Sequence, residues 1–469
     1  MSVARGDALV LFGATGDLAR KQIFPALYRL AARGRLDCPV VGVAATAWNH
    51  DQLRDYARAA VERAVPDADE AALAAFLARL AMVSGDYRDP EAFRTLATRL
   101  AEAGAGHPVH YLAIPPSLFE TVVDGLAAVG LQRGARVVVE KPFGRDLASA
   151  RALNEVLHRA FPESAIFRID HYLGKEAVEN LLVYRFGNTL LEPVWNRRYV
   201  SSIQVTMAED FGVEGRGGFY DSVGAVRDVV QNHLLQVVAL LAMEPPVSDD
   251  PDALRDEKVK VFRAMRPADP ADLVRGQYRG YLDEPGVAPG SSVETFVALR
   301  LHIDSWRWAG VPFLVRAGKA LPVTALEAVV EFQAPPRLLF SPDGCQPHPN
   351  HLRFRLGRND GVTLRMEAKQ PGEHLTSRGV DLGMDFKHVL GTRLGAYERL
   401  LGDALDGNPV RFARQDGVEA AWRIVQPLLD APGPVHTYPT GSWGPADAAA
   451  IADVAGGWHA PELTTEPNR

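Results

Sequence analysis

The segment RIDHYLGKE, residues 168–176, groups side chains that could bind an anion. If a helix begins here, His171 and Lys175 are four residues apart and lie on one face, with Tyr172 beside them. An imidazole, an ammonium and a phenol on one surface would hold the oxygens of a phosphate monoester. The structural alternative is that Asp170 caps the helix and that the following residues form its solvated first turn.

A second segment, RDVVQNH at residues 227–233, ends in a candidate general base, His233. The helix that it opens has an apolar face, and a histidine in such a place is often a structural group. Removing a proton from a hydroxyl while a hydride leaves the same carbon needs a base that titrates near neutral pH. A carboxylate such as Asp170 would hold that base in the correct tautomer.

The first strand leads into a glycine-rich turn, GATGDLA at residues 13–19. An apolar run, Ala8–Phe12, precedes the turn, and a helix follows from about Arg20. Gly13 permits a tight turn, and Gly16 lets the backbone approach a pyrophosphate at the helix N-terminus. A turn that binds nothing is the alternative, but the strand before it and the helix after it favour a dinucleotide site.

The next strand, Val40–Ala44, ends where the type of dinucleotide is usually recognised. An acidic residue there would bind the ribose of NAD, and a basic residue would meet the extra phosphate of NADP. The residues Ala45-Thr46-Ala47 offer neither and leave both cofactors open. Lys141 follows a later strand, at the edge where open parallel sheets bind ligands, and could reach a cofactor or substrate oxygen. A surface lysine before a turn is the alternative.

Cys345, His348 and His351 have the spacing of metal ligands. They lie among prolines in a predicted loop, and no companion set of ligands is near them in the sequence. We therefore predict no metal site.

The composition is typical of a cytoplasmic globular protein. The 469 residues exceed the size at which one hydrophobic core usually stops growing, which predicts two domains. The net charge of −7 indicates no nucleic-acid partner. The longest apolar run, Leu234–Met243, is too short to cross a bilayer, so we expect no membrane association. The two distant cysteines, and a start without the features of a signal peptide, indicate a reducing compartment.

The apolar patterns predict two fold classes in one chain. In the first 150 residues, short apolar runs alternate with helical patterns such as Ile23–Arg33, which is typical of a parallel sheet with crossover helices. After about residue 200, segments such as Ser201–Ala208 alternate apolar and polar positions, as antiparallel strands do. We predict an α/β Rossmann-like domain with a parallel sheet at residues 1–172, and an α+β domain on a large, mainly antiparallel sheet at residues 173–469.

Taken together, these segments resemble the glucose-6-phosphate dehydrogenase family. The resemblance runs along nearly the whole chain, and the string RIDHYLGKE is its most specific part. The other matching strings, in chain order, are GATGDLARKQIFPALYRL, EKPFG, EGRGGFYD, RDVVQNHLLQ, GVPFLVRAGKAL, YERLLGDAL and GSWGP.

The resemblance implies oxidation of D-glucose 6-phosphate at C1 to 6-phosphogluconolactone, with hydride transfer to NADP, by a homodimer or homotetramer. In the family's pattern, His233 is the general base and Asp170 orients it, while His171, Tyr172 and Lys175 hold the phosphate. The pattern also assigns substrate binding to Lys141, Glu209, Asp228 and Lys319, and cofactor binding to Gly13, Ala14, Thr15, Gly16, Asp17, Leu18, Asp86, Tyr87 and Lys141.

Four positions depart from the family's pattern. Ala45 and Gln22 stand where arginine and lysine are common near the cofactor. Thr324 and Gly357 stand where a basic residue and a glutamine are common near the sugar. Three alternatives are therefore retained: NAD as cofactor, another hexose phosphate as substrate, and a catalytically weakened sensor of nucleotide or sugar phosphate.

Overall fold

The computed structural model describes residues 4–336, 349–357, 359–391 and 393–461, and the chain divides into two compact units. Each unit contains its own β-sheet. The first unit comprises Met1–Glu176, Pro246–Arg255 and Leu394–Glu419, and the second comprises Ala177–Pro245, Asp256–Arg393 and Ala420–Arg469.

The first unit is built on a six-stranded parallel sheet. Its strands are β1 (Ala8–Phe12), β2 (Val40–Ala44), β3 (Leu80–Ser84), β4 (Pro108–Leu112), β5 (Arg136–Glu140) and β6 (Ile166–Ile169). They pair in the order β3-β2-β1-β4-β5-β6, which is the Rossmann order and confirms the predicted parallel domain. The strands are buried along nearly their whole length, which is why they are continuous apolar runs in the sequence.

The second unit is built on a nine-stranded mixed sheet. Its strands are β7 (Val200–Ala208), β8 (Leu273–Tyr278), β9 (Phe296–His302), β10 (Pro312–Gly318), β11 (Ala325–Phe332), β12 (His351–Arg355), β13 (Gly361–Lys369), β14 (Ser377–Asp385) and β15 (Val435–Tyr438). The order is β14-β13-β12-β11-β7-β10-β9-β8-β15. Among these strands the pairs β7–β10 and β8–β15 are parallel and the others are antiparallel, which confirms the predicted second fold class.

The α-helices of the described chain are α1 (Phe24–Ala32), α2 (His50–Ala64), α3 (Glu70–Ala78), α4 (Pro90–Glu102), α5 (Phe119–Ala128), α6 (Leu147–His158), α7 (Glu176–Phe186), α8 (Gly217–Asp221), α9 (Leu235–Ala242), α10 (Pro251–Ala264), α11 (Phe386–Leu390), α12 (Ala396–Asp406), α13 (Gln415–Asp430) and α14 (Ala448–Ala452). The π-helical segments Ala19–Ile23 and Val226–Leu234 continue directly into α1 and α9. Short 3₁₀ turns lie at Pro116–Leu118, Glu163–Ala165, Glu192–Val194, Pro270–Asp272, Tyr281–Asp283 and Asp453–Ala455. Within the ranges given above, we find no helix with the length and hydrophobicity needed to span a bilayer.

The core of the first unit joins residues that are far apart in the sequence. Leu9 of β1 and Leu27 of α1 belong to one buried cluster with Leu400 of α12. Arg33, at the end of α1, forms an ion pair with Glu398 of α12. Burying a leucine side chain contributes about 1.5–3 kcal/mol, so these contacts hold α12 against the Rossmann-type layer.

One local prediction is wrong: residues 170–175 do not form the start of a helix. Helix α7 begins at Glu176, and three successive backbone turns at 3.0–3.2 Å hold the segment before it. The Asp170 carboxylate accepts the N–H of Tyr172 at 3.0 Å, which stabilises a turn rather than a helix cap. A spacing of three to four residues does not distinguish consecutive turns from one turn of helix.

Candidate active site

The glycine-rich turn after β1 is tightly fixed at its first glycine. Gly13 has a φ of +80°, and a Cβ atom there would lie 2.3 Å from the carbonyl oxygen of Ala113. The N–H of Gly13 donates to the Tyr87 hydroxyl at 2.9 Å, and that hydroxyl donates to the carbonyl of Val43 at 3.1 Å. Both backbone conformation and space therefore require glycine at position 13.

In the second half of the turn, Gly16 leaves the backbone before the first helix uncovered by a side chain. A Cβ atom on Gly16 would have the Gly13 carbonyl oxygen as its nearest neighbour, at 3.1 Å. The Tyr56 hydroxyl donates to the carbonyl of Thr15 at 3.0 Å, and the Thr15 hydroxyl lies 3.1 Å from that of Thr46. Because backbone N–H groups at a helix start bind phosphate oxygens, these residues fit a dinucleotide pyrophosphate.

Three further predicted cofactor residues, Ala14, Asp17 and Leu18, lie in this turn, and Asp86 follows β3 directly before Tyr87. Asp17 is exposed and forms ion pairs with Lys21 at 3.0 Å and Arg20 at 2.7 Å. These two cations, chiefly Lys21, lower the pKa of Asp17 below its usual value. Asp86 is exposed, and its carboxylate accepts the N–H of Arg88 at 2.9 Å. Ala14 is fully buried, and Leu18 packs against the core.

A buried carboxylate, Glu140, ends β5 directly before Lys141. Glu140 is 8% exposed, and its Oε1 accepts a hydrogen bond from the Tyr111 hydroxyl at 2.5 Å. Burial raises the pKa of Glu140 to about 7, although hydrogen bonds from Tyr111 and Tyr397 and the charge of Lys141 oppose the rise. The peptide bond between Lys141 and Pro142 is cis. Sequence reasoning selected Lys141 and missed Glu140, since residue type alone does not reveal that a carboxylate is buried.

A buried ion pair supports the start of the segment 168–175. Arg168 is 1% exposed and donates to both carboxylate oxygens of Glu163, at 2.7 and 3.1 Å. It also donates to the side-chain oxygen of Asn154 at 2.8 Å. Burial alone would raise the pKa of Glu163, but the charge and hydrogen bonds of Arg168 outweigh it and lower the pKa. This network fixes the end of β6, immediately before Asp170.

The predicted phosphate-binding side chains lie together in the segment of three successive turns before α7. The ring centroids of His171 and Tyr172 are 4.8 Å apart, and Nζ of Lys175 lies 3.4 Å from the centroid of Tyr172. The ring of Tyr397 lies parallel to that of His171, at 6.2 Å. Asp170, beside them, is 2% exposed. An imidazole, a phenol and an ammonium so arranged can donate hydrogen bonds to the oxygens of one phosphate.

In the second unit, a π-helical segment carries Asp228 and His233. Residues five apart in an α-helix lie about 140° apart around its axis, whereas the wider π turn brings them to nearer faces. His233 is 1% exposed, and its backbone N–H donates to the side-chain oxygen of Asn232 at 2.7 Å. Glu294 accepts the N–H of Val226 at 3.1 Å and so anchors the start of the segment. The sequence predicted a helix here but not its π winding.

An ion pair links the ends of two neighbouring strands. Lys319 follows β10 and Glu209 follows β7, and Nζ of the lysine lies 2.5 Å from Oε2 of the glutamate. A cavity of about 190 Å³ is lined by Lys319, Asp228 and Tyr220. Burial, together with nearby carboxylates, raises the pKa of Tyr220 well above its usual value, so its hydroxyl remains a donor. A cation, a carboxylate and a hydroxyl around one cavity suit a ligand with several hydroxyl groups.

The four positions that depart from the family's pattern are exposed. The Thr324 hydroxyl donates to the Asp210 carboxylate and accepts the N–H of Asp210 at 3.1 Å. The Thr324 side chain is therefore hydrogen-bonded to Asp210 and offers no positive charge to a ligand. Ala45, Gln22 and Gly357 lie at the surface without a charged group of their own.

Two of the three residues with metal-like spacing, Cys345 and His348, lie outside the described residues. The third, His351, is in β12, and its ring centroid lies 4.8 Å from that of His459.

Comparison with known proteins places both units in one family. The family model described as the glucose-6-phosphate dehydrogenase NAD binding domain matches residues 10–180, and that of the C-terminal domain of the same enzyme matches residues 182–459. These matches confirm the resemblance that the motifs indicate.

Full-length relatives agree with the family models. Glucose-6-phosphate 1-dehydrogenase 1 of Mycobacterium tuberculosis is 48% identical over 457 residues, which is 97% of each chain. The Zymomonas mobilis glucose-6-phosphate 1-dehydrogenase is 40% identical and covers 96% of this chain and 98% of its own. The crystal structure of the Mycobacterium avium enzyme has a TM-score of 0.89 at 48% identity, over 98% of this chain and 100% of that one. A glucose-6-phosphate dehydrogenase solved in complex with its substrate glucose-6-phosphate has a TM-score of 0.89 at 37% identity, with the same coverage.

Proposed function

Because the chain belongs to the glucose-6-phosphate dehydrogenase family, we propose that it oxidises D-glucose 6-phosphate at C1 to 6-phosphogluconolactone, the first step of the oxidative pentose phosphate pathway. The observation that carries the proposal is the match of both family domains, over residues 10–180 and 182–459. A solved relative that is 37% identical is described with glucose-6-phosphate as its substrate.

The reaction changes two bonds at one carbon. The proton of the C1 hydroxyl passes to a base, a hydride leaves C1, and a carbonyl forms between C1 and its oxygen. We assign the base to His233, because a neutral imidazole accepts a proton near neutral pH. We assign the orientation of that imidazole, and the stabilisation of its protonated form, to the carboxylate of Asp170. The nicotinamide of the dinucleotide, when bound, accepts the hydride.

We assign the 6-phosphate to His171, Tyr172 and Lys175. Support comes from the distances within this segment: the ring centroids of His171 and Tyr172 are 4.8 Å apart, and Nζ of Lys175 lies 3.4 Å from the centroid of Tyr172. The buried Arg168 network, which fixes the start of the segment, supports the assignment as well. Lys141, next to the buried Glu140, is proposed to contact both substrate and cofactor.

The sugar hydroxyls are assigned to Glu209, Asp228 and Lys319. Carboxylates accept hydrogen bonds from the hydroxyl groups of a sugar, and the ammonium of Lys319 donates hydrogen bonds to the hydroxyl oxygens. Lys319 and Asp228 line the same cavity, and the ion pair with Glu209 orients the lysine, which supports this assignment.

We propose NADP as the hydride acceptor, bound at the glycine-rich turn of residues 13–18 with Asp86 and Tyr87 beside it. NAD is a second candidate, and one observation favours it: the end of β2 presents Ala45 and the hydroxyl of Thr46, which lies 3.1 Å from that of Thr15, instead of a cation. If the missing cation limits NADP use, Ala45→Arg should raise kcat/KM for NADP relative to NAD. Unchanged ratios would show that residue 45 does not select the cofactor.

We also propose a cytoplasmic homodimer or homotetramer, with residues 1–172 binding the dinucleotide and residues 173–469 binding substrate and forming the dimer. The support is an exposed apolar face on β13 and β14, where Met366 lies opposite Val380, and Leu382 and Met384 follow on the same face. An apolar face of this kind on a folded chain usually marks an interface. Light scattering of the wild type and of Leu382→Asp would test it, since a monomeric wild type contradicts the proposal.

The decisive experiment follows reduced nicotinamide by absorbance. Purified protein is supplied with glucose 6-phosphate or another hexose phosphate, each with NADP and with NAD. We expect the fastest reduction with glucose 6-phosphate and NADP. His233→Asn should lower kcat by about 10²–10⁴-fold while binding of the sugar phosphate is retained.

His388→Asn, at an exposed histidine, is the matched control and should keep full activity. Near wild-type turnover in His233→Asn would remove His233 from the mechanism. The absence of reduction with every pair of substrates would favour the sensor over the enzyme.

A further inference from the structure

A cleft of about 340 Å³ lies in the second unit, at the beginning of β7. Its walls are the segment before β7, the turn before β10 and the residue that follows β11. It shares no lining residue with the cavity that contains Lys319. Its volume falls within the range of about 300–1,000 Å³ that is usual for small-molecule sites. The polar side chains that line it are Arg197, Arg198, Ser201 and Gln333.

The charge of this cleft is positive in a protein whose net charge is −7. Arg197 and Arg198 are both exposed, and neither guanidinium has an ion-pair partner within the part of the chain that the structure describes. No acidic residue is among the described lining residues. The nearby Arg307, by contrast, pairs with Glu192 at 2.6 Å and with Glu244. The carboxylate of Glu331 does accept a hydrogen bond from the lining residue Ser201 at 3.2 Å, but it forms no ion pair with either arginine. Two arginines without an ion-pair partner favour an anionic ligand.

The backbone beside these arginines adds a hydrogen-bond donor. Gly310 lines the cleft with a φ of +92°, and its N–H has no acceptor among the described residues. The turn that carries Gly310 is held on both sides, because Ala309 donates to Ser305 at 2.8 Å and Val311 donates to Trp308 at 2.9 Å. A fixed N–H group of this kind can bind an oxygen of an anion.

The same turn presents an aromatic side chain to solvent. Trp308 is 1% exposed and its indole N–H donates to the carbonyl of Ala242 at 2.7 Å, which anchors the turn in the core. Trp306, two residues earlier, is 93% exposed. The N–H of Arg197 donates to the carbonyl of Arg307 at 2.8 Å, which ties the arginine segment to the residue next to Trp306. An exposed indole on a segment that is hydrogen-bonded to the arginine segment is available to stack on a nucleobase.

We propose that this cleft binds a diphosphate group, with Arg197, Arg198 and the N–H of Gly310 as its ligands. The diphosphate is either inorganic or part of a nucleoside diphosphate, and in the second case the base stacks on Trp306. The site is separate from the residues proposed for substrate and cofactor.

The test measures binding of pyrophosphate and of ADP by calorimetry, with glucose 6-phosphate present to occupy the sugar-phosphate site. Arg197→Gln/Arg198→Gln should weaken binding of both probes at least tenfold. Arg133→Gln/Arg279→Gln removes the same charge from two exposed arginines elsewhere and is the matched control. Trp306→Ala should weaken ADP alone if a nucleotide is the ligand, and neither probe if the ligand is inorganic diphosphate.

Equal binding by wild type and Arg197→Gln/Arg198→Gln would overturn the proposal. So would binding that persists in this variant and is displaced by NADP, because it would lie at the glycine-rich turn. The proposal also requires that the variant keep the wild-type kcat without added diphosphate. Because binding is measured without turnover, the result does not depend on whether the proposed reaction is correct.

Discussion

Nζ of Lys319 lies 2.5 Å from Oε2 of Glu209, although the two residues are 110 positions apart in the chain. The pairing of β7 with β10 in parallel register brings the ends of these strands side by side. The Lys319 side chain is only 11% exposed, and it places its charge on the wall of the cavity. The ion pair therefore sets the position of the Lys319 cation; the sequence selected both residues but did not predict that they pair.

Replacing Lys319 with methionine should reduce kcat/KM for glucose 6-phosphate by about 10- to 100-fold, because one charge-assisted hydrogen bond contributes about 1.5–3 kcal/mol. Glu209→Gln should have a smaller effect, since the ammonium keeps its charge but loses its orienting partner. Steady-state kinetics at saturating dinucleotide measure both. Lys260→Met, at an exposed lysine, is the control. A comparable rise in the KM for the dinucleotide would contradict a role limited to the sugar.

The anchor of the π-helical segment offers a second prediction. Glu294 accepts the N–H of Val226 and pairs with the buried Arg275 at 2.8 Å. Glu294→Ala leaves Arg275 buried without its partner, which should destabilise the protein by about 3–5 kcal/mol. Glu294→Gln keeps an acceptor for Val226, so it should be less destabilised, and both variants should lower kcat because His233 follows this anchor by seven residues.

The matched control for Glu294 is Glu327→Gln, which removes charge from another buried pair, with Arg353 at 2.5 Å. Thermal unfolding and kcat are measured for each variant. We expect Glu327→Gln to lose stability and to keep kcat at temperatures where it is folded. If both glutamine variants lose kcat in proportion to stability, the anchor has no specific effect on His233.

The two glycines of the dinucleotide turn should respond differently to alanine. Gly13→Ala places a Cβ 2.3 Å from a backbone oxygen at a φ of +80°, so folding itself should be impaired. Gly16→Ala meets its nearest atom at 3.1 Å, so it should fold and instead raise the KM for dinucleotide about tenfold or more. Thermal unfolding and kinetics separate the two effects. Gly34→Ala has a φ of +68° but no neighbour within 4 Å and controls for backbone strain alone.

Glu140 should make stability depend on pH. Its pKa is about 7 in the folded protein, above the usual 4.5, because it is buried. The folded protein thus holds the proton more tightly, and this contribution to stability is full below about pH 4.5 and is lost as pH rises through 7. Glu140→Gln, neutral at every pH, should become more stable relative to wild type by up to about 3 kcal/mol between pH 5 and pH 8.

Thermal unfolding across this pH range measures the difference between wild type and Glu140→Gln. The control is Glu91→Gln, at an exposed glutamate paired with Arg94. A difference that stays constant from pH 5 to pH 8 would show that Glu140 is not protonated in the folded state at neutral pH.

Features that depend on neighbouring residues were determined by the sequence itself. The turn at Gly13 and Gly16, the buried strands β1 and β2, and the change to an antiparallel sheet were all predicted, because turn geometry and strand burial act over a few residues. The grouping of His171, Tyr172 and Lys175 was predicted as well, although through a helix that is absent. Strand β14, SRGVDLGMD, was not predicted, because its glycines and exposed positions weaken the apolar alternation.

Features that depend on contacts between residues far apart in the sequence were decided by the tertiary structure. The pKa of Glu140, the pairing of Lys319 with Glu209, and the place of Leu400 in the core of the first unit have no signal in the local sequence. The physical reason is that desolvation and charge interactions depend on which groups surround a side chain after folding. A carboxylate has the same sequence letter in water and in a buried pocket, and its surroundings set its chemistry.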